Sequence, residues 1–284
     1  TDAEQQVVHL TDEPASENGQ PSPQIPTSLP DEAVFPITPD RAVVNLGDVA
    51  LLILVAFFSI FLCTTIAIAI AYSSHGAHQK IADVVGNALV ILPAQFAAYL
   101  MIVGFMVFLV RARHRTGVRE GIQWNMPDRR TALSALAGGA GLALASQLFS
   151  GLLQRWTPKS LPIEQYFKNA ASGYALALFG IFVAPLVEEL FFRGFLYPAL
   201  ERWTGVTVAV VLTAASFSLL HGAQLADAWA PLLIIFGVGA VLTVVRVKMR
   251  SVAGSVFVHM GYNATLFTIM FIYTQGFRHM EKLS

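Results

Sequence analysis

Charged side chains are scarce in this chain of 284 residues. Asp, Glu, Lys and Arg make up 13% of it, whereas hydrophobic residues make up 55%. An ordinary soluble domain has about 25% charged residues, so the composition excludes that class. The net charge of zero gives no support to nucleic-acid binding. Cysteine is almost absent as well. Cys63 is the only one, and therefore no internal disulfide can form.

What the chain has instead is a series of long apolar runs. A helix needs about 20 apolar residues to cross a bilayer, and seven runs approach or exceed that length. They are residues 49–72, 86–110, 131–153, 170–203, 204–222, 231–245 and 252–273. The predicted fold is therefore all-α, a polytopic transmembrane helical bundle with about seven spans, seven or eight. The Gly- and Ala-rich run LAGGAGLALA in the third span favours close helix packing in lipid.

The chain divides into four predicted regions. Residues 1–47 hold seven of the 14 prolines among acidic and polar residues, a composition that cannot bury enough surface to fold. They are predicted to form a disordered, acidic cytoplasmic tail. Residues 48–170 are predicted to form N-terminal transmembrane helices, 171–275 a membrane core, and 276–284 a C-terminal tail.

Basic residues predict the orientation in the membrane. Arginines are concentrated between the second and third spans, and a basic linker, residues 246–250, follows the sixth. With Arg193 set aside, eleven Lys or Arg fall on that side and six on the other. Because cytoplasmic loops carry the excess of Lys and Arg, we expect a multi-pass protein with its N-terminus in the cytoplasm.

Three charged residues interrupt the fourth span. Glu188, Glu189 and Arg193 lie in the apolar stretch PLVEELFFRGFLYP, where an unpaired charge costs about 3 kcal/mol or more. Glu189 and Arg193 are four residues apart, so on a helix they share a face and can pair. Glu188 points about 100° away from that face. Glu188 is therefore the residue that needs a functional explanation.

A few polar groups on the later spans are candidate partners for Glu188. His221 ends the fifth span, and Phe217, four residues earlier, can wall one side of its imidazole. His259 and Asn263, also four apart, share one face of the seventh span. The estimated heights of these polar groups in the membrane range from about 12 to about 26 Å at 1.5 Å per residue. A helix tilt of about 20° can close such a gap.

A carboxylate, two imidazoles and an amide in a dry cavity fit the hydrolysis of an amide. Glu188 could take a proton from a water that His221 orients, and His259 and Asn263 could donate hydrogen bonds to the oxyanion. The sequence contains neither a serine elbow motif nor HExxH. Two imidazoles and a carboxylate could also bind zinc, as in a metalloendopeptidase. Zinc or another divalent metal therefore stays open as a cofactor.

Three motifs, in this order on successive helices, resemble the CPBP family, which includes the type II CAAX prenyl endopeptidases and the bacterial bacteriocin-immunity (Abi) proteins. They are EExxxR at 188–193, FxxxH at 217–221 and HxxxN at 259–263. With the surrounding text EELFFRGFLYP and RSVAGSVFVHMGYN, the resemblance covers residues 172–270. It implies a glutamate-dependent intramembrane endopeptidase with a cavity open to the cytosol and lateral access for a lipidated or membrane-borne peptide.

The resemblance also implies roles for the motif residues. Glu188 would be the general base, and His221 would position its water. His259 and Asn263 would form the oxyanion hole. Glu189 is assigned to the catalytic residues, although it would support the site rather than react. Arg193 and Phe217 would be structural supports.

Other functions remain open at this stage. A non-proteolytic membrane scaffold or a bacteriocin self-immunity protein of the same family is the main alternative, and a proton-coupled transporter is the third. The expected partners are the lipid bilayer and a membrane-associated or lipidated peptide, prenylated or not, and the expected location is a bacterial inner membrane. Phe191, Phe192, Phe195 and Trp229 could line a pocket for a lipid chain or simply pack against lipid.

Overall fold

The chain is helical over nearly all the residues that its computed structural model describes, which are 43–75 and 81–279. The α-helices are α1 (Leu46–His75), α2 (Ile81–Val85), α3 (Ala88–Phe108), α4 (Val118–Gly121), α5 (Arg129–Leu153), α6 (Ala170–Leu178), α7 (Ala184–Glu189), α8 (Tyr197–Leu220), α9 (Trp229–Met249) and α10 (Val252–Tyr273). This described part contains no strand, and the all-α prediction is confirmed. The predicted tail, 1–47, lies outside the described residues except for 43–47, where α1 has already begun.

Short non-α segments connect or extend these helices. Turns of π-helix at Phe179–Val183 and Leu190–Leu196 join α6, α7 and α8 into one helical run, and another at Leu109–Arg113 extends α3. Three 3-10 turns lie in the connections, at Gln154–Trp156, Pro162–Tyr166 and Gly222–Leu225.

Side-chain caps explain where four of the helices begin. Asn87 accepts a hydrogen bond from the Leu89 amide, Asn169 from Ser172, and Ser251 from Gly254. Asp128 accepts from the Thr131 amide at 2.8 Å, and this bond holds the pKa of its carboxyl below the usual value. Each cap satisfies an amide at a helix start that has no partner within the helix. At these four helices, the polar residue before the apolar run therefore sets the start of the helix.

Six helical runs in the described part are long and apolar enough to cross a membrane. They are Leu46–Ser74, Ala88–Arg113, Arg129–Trp156, Ala170–Leu220, Trp229–Met249 and Val252–Tyr273. The fourth run has 51 residues, which would extend about 76 Å as one straight helix. That is more than twice the thickness of the hydrocarbon core. The run must therefore bend or turn back.

Gly205 reverses the chain within this fourth run. Its φ of 76° and ψ of 169° are not helical, and glycine adopts such angles at little steric cost. The rings of Phe192 and Phe217 lie 5.1 Å apart, although a straight helix would separate them by about 37 Å. The two halves of the run are thus antiparallel and cross separately. The described residues therefore hold seven crossings, as predicted.

Many large apolar side chains face outward from the bundle. Leu148, Leu152 and Trp203 are about three-quarters exposed, at 75%, 74% and 76%. Exposure on this scale is costly in water, but lipid tails solvate such side chains well. The surface is therefore that of a membrane protein.

Helices α5 and α10 cross at two glycines that bring their backbones into contact. A Cβ atom added at Gly139 would lie 2.0 Å from the Val258 carbonyl oxygen, and one added at Gly261 would lie 2.2 Å from that of Leu136. Close approach through small residues is typical of helix pairs in lipid. The prediction that the Gly- and Ala-rich third span is a packing face is confirmed.

Substituting the contact glycine should therefore weaken the bundle. We expect Gly139→Ala to lower the thermal unfolding temperature in detergent, because its methyl group must push the two backbones apart. The neighbouring Gly138 has no atom within 4 Å of its Cβ position, so Gly138→Ala is the matched control. We expect that control to be neutral or slightly stabilising, since alanine favours a helix by about 1 kcal/mol over glycine. Equal effects of the two substitutions would contradict the backbone contact.

Candidate active site

A cavity of about 350 Å³ lies between α3, the α6–α8 run, α9 and α10. Four of the predicted site residues line it together: Glu188, His221, His259 and Asn263. They come from three separate crossings, so the folded bundle brings into one space residues that are up to 75 positions apart in sequence. The remaining lining is mostly apolar. Such a space has the character of a ligand pocket.

The two adjacent glutamates face different surroundings, as their spacing predicts. Both lie in the last turn of α7, between the two π-helical turns. The Glu188 side chain lines the cavity and is 18% exposed, whereas Glu189 is fully buried. Turns of π-helix within α-helices are frequent at functional sites, and here they flank both carboxylates. Glu188 is thus available to a ligand, and Glu189 is not.

Arg193 is the counter-ion of Glu189. Its Nη1 lies 2.9 Å from Glu189 Oε1, and both side chains are fully buried. The other guanidinium nitrogens are also bonded: Nη2 donates to the Gly239 carbonyl at 2.8 Å and Nε to the Thr243 hydroxyl at 3.3 Å. A buried charge is tolerated only when it is paired and hydrogen-bonded in this way. The predicted i, i+4 ion pair is confirmed.

His259 connects this buried pair to the cavity. Its Nδ1 lies 2.9 Å from Glu189 Oε1, and its Nε2 lies 3.9 Å from Glu188 Oε2. A carboxylate only accepts hydrogen bonds, so Nδ1 carries the proton of the shorter contact. The distance of 3.9 Å is too long for a direct hydrogen bond. Glu189 therefore fixes the ring of His259, and Nε2 faces Glu188 across a short gap.

His221 is held in a similar way at the end of α8. Its Nδ1 lies 2.8 Å from the Phe217 carbonyl oxygen. Because a carbonyl can only accept, Nδ1 is the donor, and in the neutral ring Nε2 is left as an acceptor. The ring of Phe217 contacts both imidazoles, with centroids 4.8 Å from His221 and 5.8 Å from His259. The prediction that Phe217 walls the imidazole of His221 is confirmed.

Asn263 lies one turn beyond His259 on α10 and also lines the cavity. Its Nδ2 donates to the Gly180 carbonyl at 2.6 Å, which fixes the orientation of the amide. A primary amide has two N–H donors, so one remains for another partner.

Parts of the cavity were not anticipated. Four of its residues come from the first two turns of α3, namely Ala88, Ile91, Leu92 and Gln95, a span that carries none of the motifs. The polar Gln95 within an apolar run is the feature of the sequence that could have indicated that α3 faces a cavity. The aromatic lining consists of Tyr166, Phe167, Phe179, Phe217, Tyr262 and Phe267. The four residues suggested either for a lipid-chain pocket or for packing against lipid, Phe191, Phe192, Phe195 and Trp229, are not among the lining residues of this cavity.

A zinc ion would need at least three ligand side chains close together. Over residues 43–75 and 81–279, no group of three or more His, Cys, Asp or Glu side chains is arranged to hold a metal ion. The residues present therefore do not fit a preformed zinc site.

Fold and site together define a class: a polytopic helical membrane protein with a carboxylate, two imidazoles and an amide around a cavity within the bundle. Residues 170–265 match the family model described as "Type II CAAX prenyl endopeptidase Rce1-like". The match confirms the resemblance inferred from the motifs, and it contains all seven motif residues. The family is one of proteases, which supports a peptidase embedded in a membrane. No curated protein and no solved structure matches the chain.

Proposed function

We propose that the protein is a glutamate-dependent intramembrane endopeptidase. It hydrolyses a peptide bond of a membrane-associated peptide by direct attack of a water molecule that Glu188 activates. The observation that carries the proposal is the convergence of Glu188, His221, His259 and Asn263 on one cavity. These groups supply a base, a second hydrogen-bond acceptor for the attacking water and two candidate hydrogen-bond donors to the oxyanion. Amide hydrolysis requires groups with these functions.

The water is held between two acceptors. Glu188 presents a carboxylate to the cavity, and His221 presents the unprotonated Nε2 of a ring whose Nδ1 donates to Phe217. A water that donates one hydrogen to each of them keeps a lone pair free for attack. As this lone pair adds to the carbonyl carbon, Glu188 takes the proton. It then gives that proton to the departing amine, so the carboxylate is regenerated.

The oxyanion is stabilised from α10. Asn263 offers its second amide hydrogen, and His259 offers Nε2. Because Nδ1 of His259 already donates to Glu189, Nε2 carries a hydrogen only when the ring is the imidazolium. Two carboxylates, Glu188 and Glu189, one guanidinium and one imidazolium then give the buried group a net charge of zero.

Glu189 and Arg193 act as positioning residues in this scheme. Neither lines the cavity, and both reach the reaction only through His259. Their function is to hold the ring of His259 in place, since Nδ1 of His259 bonds to Glu189 and Arg193 pairs with the same carboxylate. Outer partners of this kind orient reactive groups and are needed for full activity.

The proposal is tested with protein reconstituted into lipid vesicles together with synthetic peptides that carry either a transmembrane segment or a prenyl chain. We expect cleavage by the wild type, detected as new termini by mass spectrometry. We expect His221→Gln and Asn263→Ala each to lower kcat/KM by about 100-fold, the effect of losing one polar group that acts in the transition state.

The matched control is Gln224→Ala, which removes another exposed polar group that lines the same cavity and should keep most activity. Residues that act as one unit are not additive. Adding His221→Gln to Glu188→Gln should therefore lower the rate little further. A wild type that cleaves none of these peptides, or a His221→Gln variant with full turnover, would contradict the proposal and favour a scaffold.

A further inference from the structure

The two ends of the helical bundle differ in charge. We call one the basic end, formed by residues 43–48, 109–130, 201–206 and 246–252. Contacts bring these segments together: the Val252 amide donates to the Gln123 carbonyl at 3.1 Å, Asn125 donates to the Arg250 carbonyl at 2.7 Å, and Arg202 to the Val43 carbonyl at 3.3 Å.

The opposite end is called the cavity end, formed by residues 81–88, 154–169, 221–229 and 273–279. Here the rings of Trp156 and Trp229 lie 5.6 Å apart. The two ends are thus identified by contacts between different loops, independently of any assumption about the membrane.

Basic side chains are distributed very unevenly between these ends. Among the described residues, ten Lys or Arg lie at the basic end: Arg111, Arg113, Arg115, Arg119, Arg129, Arg130, Arg202, Arg246, Lys248 and Arg250. Four lie at the cavity end: Arg155, Lys159, Lys168 and Arg278. Short loops rich in Lys and Arg remain in the cytoplasm. The basic end therefore faces the cytoplasm.

The cavity extends from the middle of the bundle toward the other end. From the level of Glu188 and His259 its lining continues through the start of α3, the turn at Pro162–Tyr166 and Gln224. No lining residue comes from the segments of the basic end. The direction of the opening therefore follows from the lining alone.

The basic side of the site is closed by buried side chains. Arg193 is fully buried and Arg246 is 3% exposed, and Arg246 donates both to the Arg193 carbonyl and to the side chain of Gln123. An apolar cluster packs at the same end, formed by Val44, Val49, Leu52, Ile102, Met106, Leu109, Val110, Ile122, Phe195 and Ala199. A peptide cannot reach Glu188 from the basic side without displacing these groups.

We infer that the cavity opens on the non-cytoplasmic face of the membrane and that the substrate is a peptide segment anchored in, or emerging at, the outer leaflet. The inference rests on the proposed function for its mention of a substrate, but the direction of the opening does not. It replaces the cytosolic opening that the family resemblance implies, because the basic loops and the cavity lie at opposite ends of this bundle.

The lining also restricts the chemistry of the segment that enters. Glu188 is the only Asp, Glu, Lys or Arg among the lining residues, and most of the others are apolar or aromatic. A charged segment would lose its hydration, and the lining offers it a charged partner only at Glu188 and His259. The cleaved bond therefore lies in an uncharged, apolar stretch next to the membrane anchor.

The orientation is tested by labelling single cysteines in the full-length protein. Cys63 lies within α1 and is replaced by alanine. Ser160→Cys then places a thiol in the exposed loop at the cavity end, and Met126→Cys places one in the basic end, where Met126 is 60% exposed. Spheroplasts of a bacterial host that expresses each variant are treated with a membrane-impermeant maleimide, before and after permeabilisation.

We expect Ser160→Cys to be labelled in intact spheroplasts at least tenfold faster than Met126→Cys, which should react only after permeabilisation. The reverse pattern, or equal labelling of the two variants in intact cells, would overturn the inference. Labelling does not require turnover. The expected pattern in a protein that cleaves nothing would therefore refute the peptidase alone and leave the orientation intact.

A second measurement tests the side on which the substrate is cleaved. Vesicles are sorted by the same labels into the two orientations, and an anchored peptide is added from outside to each. We expect cleavage only where Ser160→Cys is the accessible site. Cleavage only where Met126→Cys is accessible would overturn the inference even if the peptidase is real.

Discussion

Replacing Arg193 by methionine should destabilise the folded protein by about 3–5 kcal/mol. This is the cost of removing one partner of a buried ion pair and leaving the other charge uncompensated. Glu189 is fully buried 2.9 Å from Arg193, and no water can replace the guanidinium without opening the bundle. The measurement is the thermal or denaturant-induced unfolding of the purified variant in detergent, compared with the wild type.

The control for this prediction removes both charges. The double variant Arg193→Met with Glu189→Gln leaves no unpaired charge between α7 and α9, so it should recover much of the lost stability. Replacing a whole buried ion pair by neutral groups is often close to neutral. A double variant as unstable as the single one would show that packing of the Arg193 side chain, rather than its charge, holds this region together.

Replacing Glu188 by glutamine should abolish peptide cleavage while leaving the fold unchanged. General base catalysis contributes typically 10²–10⁴-fold to a rate, and here the same group also positions the water, so we expect a loss of at least about 1,000-fold. Glutamine has nearly the same shape but cannot accept the proton at neutral pH. Glu188 is partly exposed to the cavity, and its distance of 3.9 Å from His259 is too long for a direct hydrogen bond. The unfolding temperature of the Glu188→Gln variant should therefore stay near that of the wild type.

A second carboxylate provides the matched control for charge alone. Glu164 lies in the 3-10 turn at the cavity end, between lining residues, but does not itself line the cavity. Glu164→Gln removes one negative charge near the mouth and should change the rate less than about threefold. If Glu164→Gln and Glu188→Gln lowered the rate equally, a general electrostatic effect would explain the loss better than a base.

Local spacing was enough to predict how the charged residues of the fourth span are used. Residues four apart on a helix must share a face, and adjacent ones cannot. The pairing of Glu189 with Arg193 and the separate exposure of Glu188 follow directly from that geometry. The spans were predictable for a similar reason, because the length of an apolar run is compared with a fixed bilayer thickness. The Gly-rich face of α5 was also predictable, although its partner α10 was not.

The contacts between distant helices could not be read from spacing. Phe191, Phe192 and Phe195 lie within the π-helical turn at Leu190–Leu196. Whether they meet the cavity depends on how that turn rotates its side chains around the helix axis. The contribution of α3 depends on which helices are neighbours in space. The direction of the opening depends on both. Two expectations that were compatible in the sequence, basic loops in the cytoplasm and a cytosolic cavity, become incompatible once the cavity is located.

The measurement that tests the central claim most directly is hydrolysis in water enriched in oxygen-18, with wild type and Glu188→Gln reconstituted side by side. If water attacks the peptide carbonyl, the new carboxyl terminus made by the wild type carries one oxygen-18 atom, and the variant makes no labelled product. Product without the label, or labelled product formed equally well by Glu188→Gln, would contradict hydrolysis by a water that Glu188 activates.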